Sequence, residues 1–183
     1  MEAALDILAR EGSHGLTTRN LARVLGITEP ALYRHFESKK DLLKALYGFV
    51  ATKMERTLSP ALKEENPFPT KIRNLLTTLL DYLKENRGVN LVLLSEAIHH
   101  NDPDLKRAME KLIKRVQGFI KGVITQGIKE GTLREDLNHD MASKIIIGLF
   151  QVTVTFSILT DEPWNTGETV ESFLPIFLKG VLK

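Results

Sequence analysis

Cysteine does not occur in this 183-residue chain, which excludes disulfides and thiolate metal sites and fits a reducing compartment. Long apolar runs are missing too. The most hydrophobic segment, Ile145 to Leu159, carries Gln151 and several threonines. It is shorter than the about 20 residues that a membrane-spanning helix requires. The first residues, Met-Glu-Ala-Ala-Leu-Asp, are acidic and lack the basic stretch and apolar core of a signal peptide. The expectation is a cytoplasmic protein with no membrane partner. Sustained two-residue alternation, internal repeats and low-complexity tracts are all absent, which argues against strands and solenoids. Nucleophile motifs, phosphate-cradling glycine loops and dinucleotide fingerprints are absent as well. Glu96, His99, His100 and His139 are the one grouping that invites a metal. Glu96 and His99 share a helical face, but no two histidines have ligand spacing, so neither a metal nor another cofactor is expected.

What remains is helix. The chain is 43% hydrophobic, ample for a core, and nearly every long segment has helical periodicity. A first helix from Glu2 to Glu11 places Ala4, Leu5 and Leu8 on one side and stops at Gly12. Thr17 is a natural N-cap for a second, which runs to Leu25 and ends at Gly26. Thr28 caps a third, with Pro30 in its first turn, ending near Phe36. Ser38 caps a fourth, from Lys39 to about Leu58, closed by Pro60. A polar, proline-bearing loop from Glu64 to Pro69 follows. Further helices are expected at about 70–86, 89–99, 102–130, 138–160 and 167–182. About nine helices make an all-α protein, with a natural division near residue 45 into segments 1–45 and 46–183.

Net charge is only +2, but five basic residues (Arg19, Arg23, Arg34, Lys39 and Lys40) stand against Glu29 and Glu37 between positions 19 and 40. A local basic patch of this kind suits phosphate binding. It coincides with two short helices joined by a tight turn, Leu25-Gly26-Ile27, which is the helix-turn-helix arrangement. In that unit the second helix enters the major groove. Leu32 and Phe36, four apart, would dock it on Leu8, Leu21 and Leu25, leaving Glu29, Pro30, Ala31, Tyr33, Arg34 and His35 on its other faces.

Gly12, Leu16-Thr17-Thr18-Arg19, Leu21-Ala22, Leu25-Gly26-Ile27, Pro30-Ala31-Leu32-Tyr33, His35-Phe36, Ser38-Lys39 and Leu42-Leu43 together resemble the DNA-binding domain of TetR-family repressors. The resemblance covers the first quarter of the chain; the rest agrees in helix number, order and length. Glu130-Gly131 through Asp136 looks like the link before the family's dimerisation helices. The resemblance implies a helix-turn-helix domain at 1–45, then a ligand-binding and dimerisation domain at 46–183. It further implies that Thr18 touches phosphate and that Arg19 reaches a base, guanine being the commonest partner of arginine. Thr28, Glu29, Pro30 and Ala31 would face the groove, and Tyr33 and His35 would donate to phosphate. Lys39, at the start of helix 4, would add a charged phosphate contact. Glu29 has two readings, a residue that shapes its helix or an acceptor for cytosine. The family's lead-in before helix 1 is commonly longer and basic, so contacts from such an arm stay open.

In the back half, Leu76, Leu79, Leu80, Leu83, Leu94, Met109, Ile113, Val116 and Ile120 lie on broad apolar stripes. Ordinary core explains each of them singly; the resemblance implies an effector cavity among them, taking a small hydrophobic molecule. Gly118, Gly122 and Gly127 inside helix 7 mark close packing, a bend or cavity shaping. Helix 8 is apolar on more than one face and needs burial on two sides. Ile146, Phe150 and Val154, with Phe173 and Phe177 of helix 9, are the expected contacts of a two-fold homodimer. The expected function is a ligand-released repressor that binds double-stranded, near-palindromic operator DNA. The other readings are a small all-α enzyme or carrier, which needs convergent polar residues in the back half, and a TetR-like scaffold without DNA binding.

Overall fold

A computed structural model of the chain describes residues 1–63 and 65–181. Glu64 and Leu182, which the sequence places in a loop and at a helix end, lie outside them. Among the described residues there are nine helices and no strand. They are α1 (Glu2–Gly15), α2 (Thr18–Leu25), α3 (Glu29–Tyr33), α4 (Lys39–Lys63), α5 (Phe68–Glu85), α6 (Val89–His99), α7 (Pro103–Lys129), α8 (His139–Thr160) and α9 (Thr166–Val181). The all-α expectation holds.

Two boundaries differ for physical reasons. At Gly12 the backbone leaves the helical region (φ 67, ψ −166), and one further turn to Gly15 follows the break. Pro60 does not end α4, which continues to Lys63. Proline removes one backbone donor, but Leu58 and Ala61 are buried on either side of it and hold the last turn in place.

Helices pack as two compact units that do not divide at residue 45. The first gathers residues 1–53 and 86–113, the second 54–85 and 114–183. The first unit has a core of Leu5, Leu8, Leu16, Leu21, Leu32, Leu42, Leu43, Leu46 and Leu93, with α1 lying against both α2 and α6. The buried Tyr47 hydroxyl donates to the Leu93 carbonyl at 2.6 Å and ties α4 to α6. Burial, reinforced by the charge of Glu96, pushes this phenol up to about 12. In the second unit α5 packs on α8 and α9 through Ile72, Leu75, Leu76, Leu79 and Leu80. Gly127 of α7 belongs to this unit: a Cβ there would lie 2.5 Å from the Phe68 ring and 2.9 Å from Leu133. Gly118 and Gly122 face open space, so close approach accounts for Gly127 and not for the other two.

Candidate nucleic-acid interface

The front of the first unit is set by its helix ends. Thr17 caps α2, its hydroxyl accepting from the Asn20 amide at 3.1 Å. Asn20 braces the same end, donating to Glu11 and to the Gly15 carbonyl at 2.9 Å each. Gly26 closes α2 in the left-handed conformation (φ 67, ψ 27), and the Ile27 amide reaches back to the Ala22 carbonyl at 3.0 Å. That turn delivers α3, which has five residues and one fully buried anchor, Leu32. The amides of His35 and Phe36 both bond the Leu32 carbonyl and carry the last turn to Phe36. Phe36 is half-buried, but Leu25, expected beneath α3, is 46% exposed. Thr28 stands at the N-cap without a side-chain cap bond, which corrects its expected capping role.

α2 and α3 are joined by polar side chains. Thr18 Oγ1 lies 2.8 Å from Glu29 Oε1 and 3.2 Å from the Tyr33 hydroxyl. Threonine has a single hydroxyl proton and the carboxylate can only accept, so Thr18 donates to Glu29 and accepts from Tyr33. The other carboxylate oxygen, Oε2, faces Arg19 Nε at 3.8 Å. Thr28, Pro30, Tyr33, Arg34 and His35 are exposed around this cluster, and Ala31 is half-buried.

Lys39 is engaged inside the chain. Its ammonium donates to the Ser13 carbonyl at 2.8 Å and to the Ser13 hydroxyl at 3.0 Å, with Glu96 of α6 at 3.9 Å. It thus fastens the start of α4 to the end of α1 and to α6, and a phosphate would have to displace these oxygens. Ser38 caps α4 through the Asp41 amide, as expected. Lys40 bridges Asp102 (2.7 Å) and Asp104 (2.9 Å). These hydrogen bonds hold both carboxyls below their ordinary range, Asp104 at about 2 with Arg107 adding to the effect. Among the described residues no three metal-ligating side chains are grouped, and Glu96 instead pairs with His100 at 3.2 Å.

In the back half, Leu76, Leu79, Leu80, Leu83, Met109 and Ile120 are buried, and Leu94 and Val116 are half-buried. Ile113 is 37% exposed and faces outward, unlike the other residues of its stripe. The expected dimer contacts need a larger correction. Ile146, Phe150, Val154 and Phe177 are 0 to 6% exposed within the single chain, so they fill its own core; Phe173 is half-buried. The apolar face left open runs along Met141, Ile145, Val152, Phe156 and Leu159 of α8, with Ile176 on α9. At 22 residues, α8 is long and apolar enough to cross a membrane by length and composition, which corrects the shorter run counted from the sequence. Within the chain only one of its apolar stripes is buried, and the other is open.

Residues 1–46 match the family described as bacterial regulatory proteins, tetR family, and residues 48–180 match the C-terminal region described as YsiA-like. This chain belongs to the TetR family. As a member of that family it is a transcriptional regulator and not an enzyme. This TetR-family chain is 21% identical to the fatty acid metabolism regulator protein of Bacillus subtilis (strain 168), over 99% of its own length and 93% of that protein. Its fold is similar to that of the transcriptional regulator FadR from Bacillus subtilis in complex with stearoyl-CoA. The TM-score is 0.84 at 20% identity, covering 98% of this chain and 96% of that one. The ketosteroid transcriptional regulator KstR2 of Mycobacterium tuberculosis is similar at a TM-score of 0.73 and 22% identity, covering 100% and 92%. At these identities the solved structures speak for the fold.

Proposed function

We propose that this TetR-family regulator is a cytoplasmic repressor. In this reading it binds a near-palindromic operator as a homodimer and releases it when a long-chain acyl-CoA occupies the back half. Residues 1–45 carry the DNA contacts and 46–183 the effector and partner contacts. The observation that carries the DNA reading is the exposed polar face of α2 and α3. Arg19, Thr28, Pro30, Tyr33, Arg34 and His35 are exposed on it and Thr18, Glu29 and Ala31 half-buried, with α3 anchored by Leu32. A short docked helix that presents small residues with Arg34 and His35 outward fits the major groove, with Arg19 of α2 beside it.

Likeness to a fatty acid metabolism regulator and to a fold solved with stearoyl-CoA supports an acyl-CoA effector. The buried leucines of α5 agree, since an acyl chain needs apolar walls. The open face of Met141, Ile145, Val152, Phe156 and Ile176 supports the homodimer. Selection of bound duplexes from a random pool tests the reading. Enrichment of one inverted-repeat sequence is the expected result, and recovery of an unchanged pool would refute it.

A further inference from the structure

The cluster at the front of α2 and α3 has a direction. Tyr33 donates to Thr18, Thr18 donates to Glu29, and the second oxygen of Glu29 faces Arg19, so the carboxylate is the common terminus of every link. Glu29 Oε2 meets Arg19 at Nε, while the arginine side chain as a whole is 88% exposed. The two terminal guanidinium nitrogens are therefore presented to solvent, and they are the pair that can take the O6 and N7 of guanine together. An isolated arginine at a helix start has many rotamers and neutralises any phosphate in reach. At 3.8 Å, longer than a hydrogen bond, the carboxylate on the neighbouring helix attracts the guanidinium and biases it towards α3.

Resting on the DNA-binding reading above, we propose that Glu29 is a specificity-determining positioning residue. It acts through Arg19 and sets that side chain in register with α3 for guanine, instead of reading a base itself. Thr18 and Tyr33 steady the carboxylate from the other side. A single exposed ion pair contributes little to stability, so the role is expected in discrimination and not in folding.

The test compares wild type with Glu29→Gln, Arg19→Ala and the double variant, on the selected operator, on the operator changed at its Arg19-dependent guanine, and on random duplex. All are measured by fluorescence anisotropy across a salt series, with circular dichroism to confirm folding. Glu29→Gln keeps the size and an acceptor for Thr18 but removes the charge facing Arg19. Preference for the guanine should fall by up to the roughly 5- to 150-fold that a bidentate pair supplies. Affinity for random duplex should hold or rise, and its salt slope should steepen by about 0.9 as the released Arg19 takes a phosphate. In the Arg19→Ala background the same change should leave the slope and the preference unmoved.

Equal loss on all three duplexes with the slope unchanged would overturn the proposal, as would an effect of Glu29→Gln that persists without Arg19. A discrimination defect from Thr18→Val that Thr18→Ser restores would support it; no defect from Thr18→Val would remove the support assigned to Thr18. If wild type selects no sequence at all, the DNA-binding reading itself falls, a result distinct from wild-type selectivity that Glu29 does not affect.

Discussion

Single side chains in this protein show how far residue type foretells residue role. Thr18, Arg19, Tyr33 and His35 stand out in the sequence as donors in the right order, and all but Thr18, which is half-buried, are exposed. Their partners are not legible there, because Thr18 and Glu29 are eleven residues apart and meet only once Gly26 has turned the chain. Lys39 was legible as a cation at a helix start, but its use depends on Ser13 and Glu96, from two other helices. A tether and a phosphate contact predict different salt behaviour. Lys39→Ala should lower the melting temperature and weaken DNA binding with the salt slope unchanged; a slope reduced by about one unit would mean that Lys39 neutralises a phosphate. Tyr47 gives a pH-dependent case. Its phenol is raised to about 12 in the folded chain against 10.0 ordinarily. Its stabilisation is therefore whole below pH 10 and is lost as pH rises through 12. At pH 7 the hydrogen bond to Leu93 should make wild type more stable than Tyr47→Phe by about 1 kcal/mol. In urea titrations that advantage should shrink at pH 11, and an identical difference at both pH values would contradict the account.

Elements were more legible than contacts, since helix position follows from periodicity and caps while contact depends on which face finds a partner. α6, α7 and α8 fall within a residue or so of their expected bounds, because breakers such as Gly88 and the Asn101-Asp102-Pro103 run act locally. Pro60 misled for the opposite reason: burial of Leu58 and Ala61 outweighs a local stop signal. α8 carries two apolar stripes offset by one residue, Ile145 with Val152 and Phe156 against Ile146 with Phe150 and Val154. Sequence alone cannot assign one to the core and the other to a partner. The structure buries the second stripe, and this separates two substitutions. Phe156→Glu should give a folded monomer in light scattering, with the helical spectrum kept. Phe150→Ala should cost about 3–5 kcal/mol of stability in denaturant titrations because it empties a core position. A dimer that survives Phe156→Glu would move the interface elsewhere.

At the scale of the whole molecule, the division expected near residue 45 and the packing of the chain answer different questions. The family matches change over between residues 46 and 48, whereas the first compact unit takes in α6 and the start of α7 as well. The helix-turn-helix is thus packed in one unit with α6, through Lys39 to Glu96, Lys40 to Asp102 and Asp104, and Tyr47 to Leu93. An effector that favours a different placement of α4 or α6 would act on the recognition helices through these ties, and the separation of two such helices decides how well a dimer fits successive groove faces. The effector can move the equilibrium only by its differential affinity, typically about 1–3 kcal/mol of coupling, and the coupling must be reciprocal. The proposed release of this TetR-family regulator from DNA by a long-chain acyl-CoA has a reciprocal thermodynamic signature. Titrating stearoyl-CoA into the protein with and without saturating selected operator tests it most directly. Operator is expected to weaken stearoyl-CoA binding about 5- to 150-fold, and stearoyl-CoA to weaken operator binding by the same factor. Equal stearoyl-CoA affinity in the two titrations would contradict it.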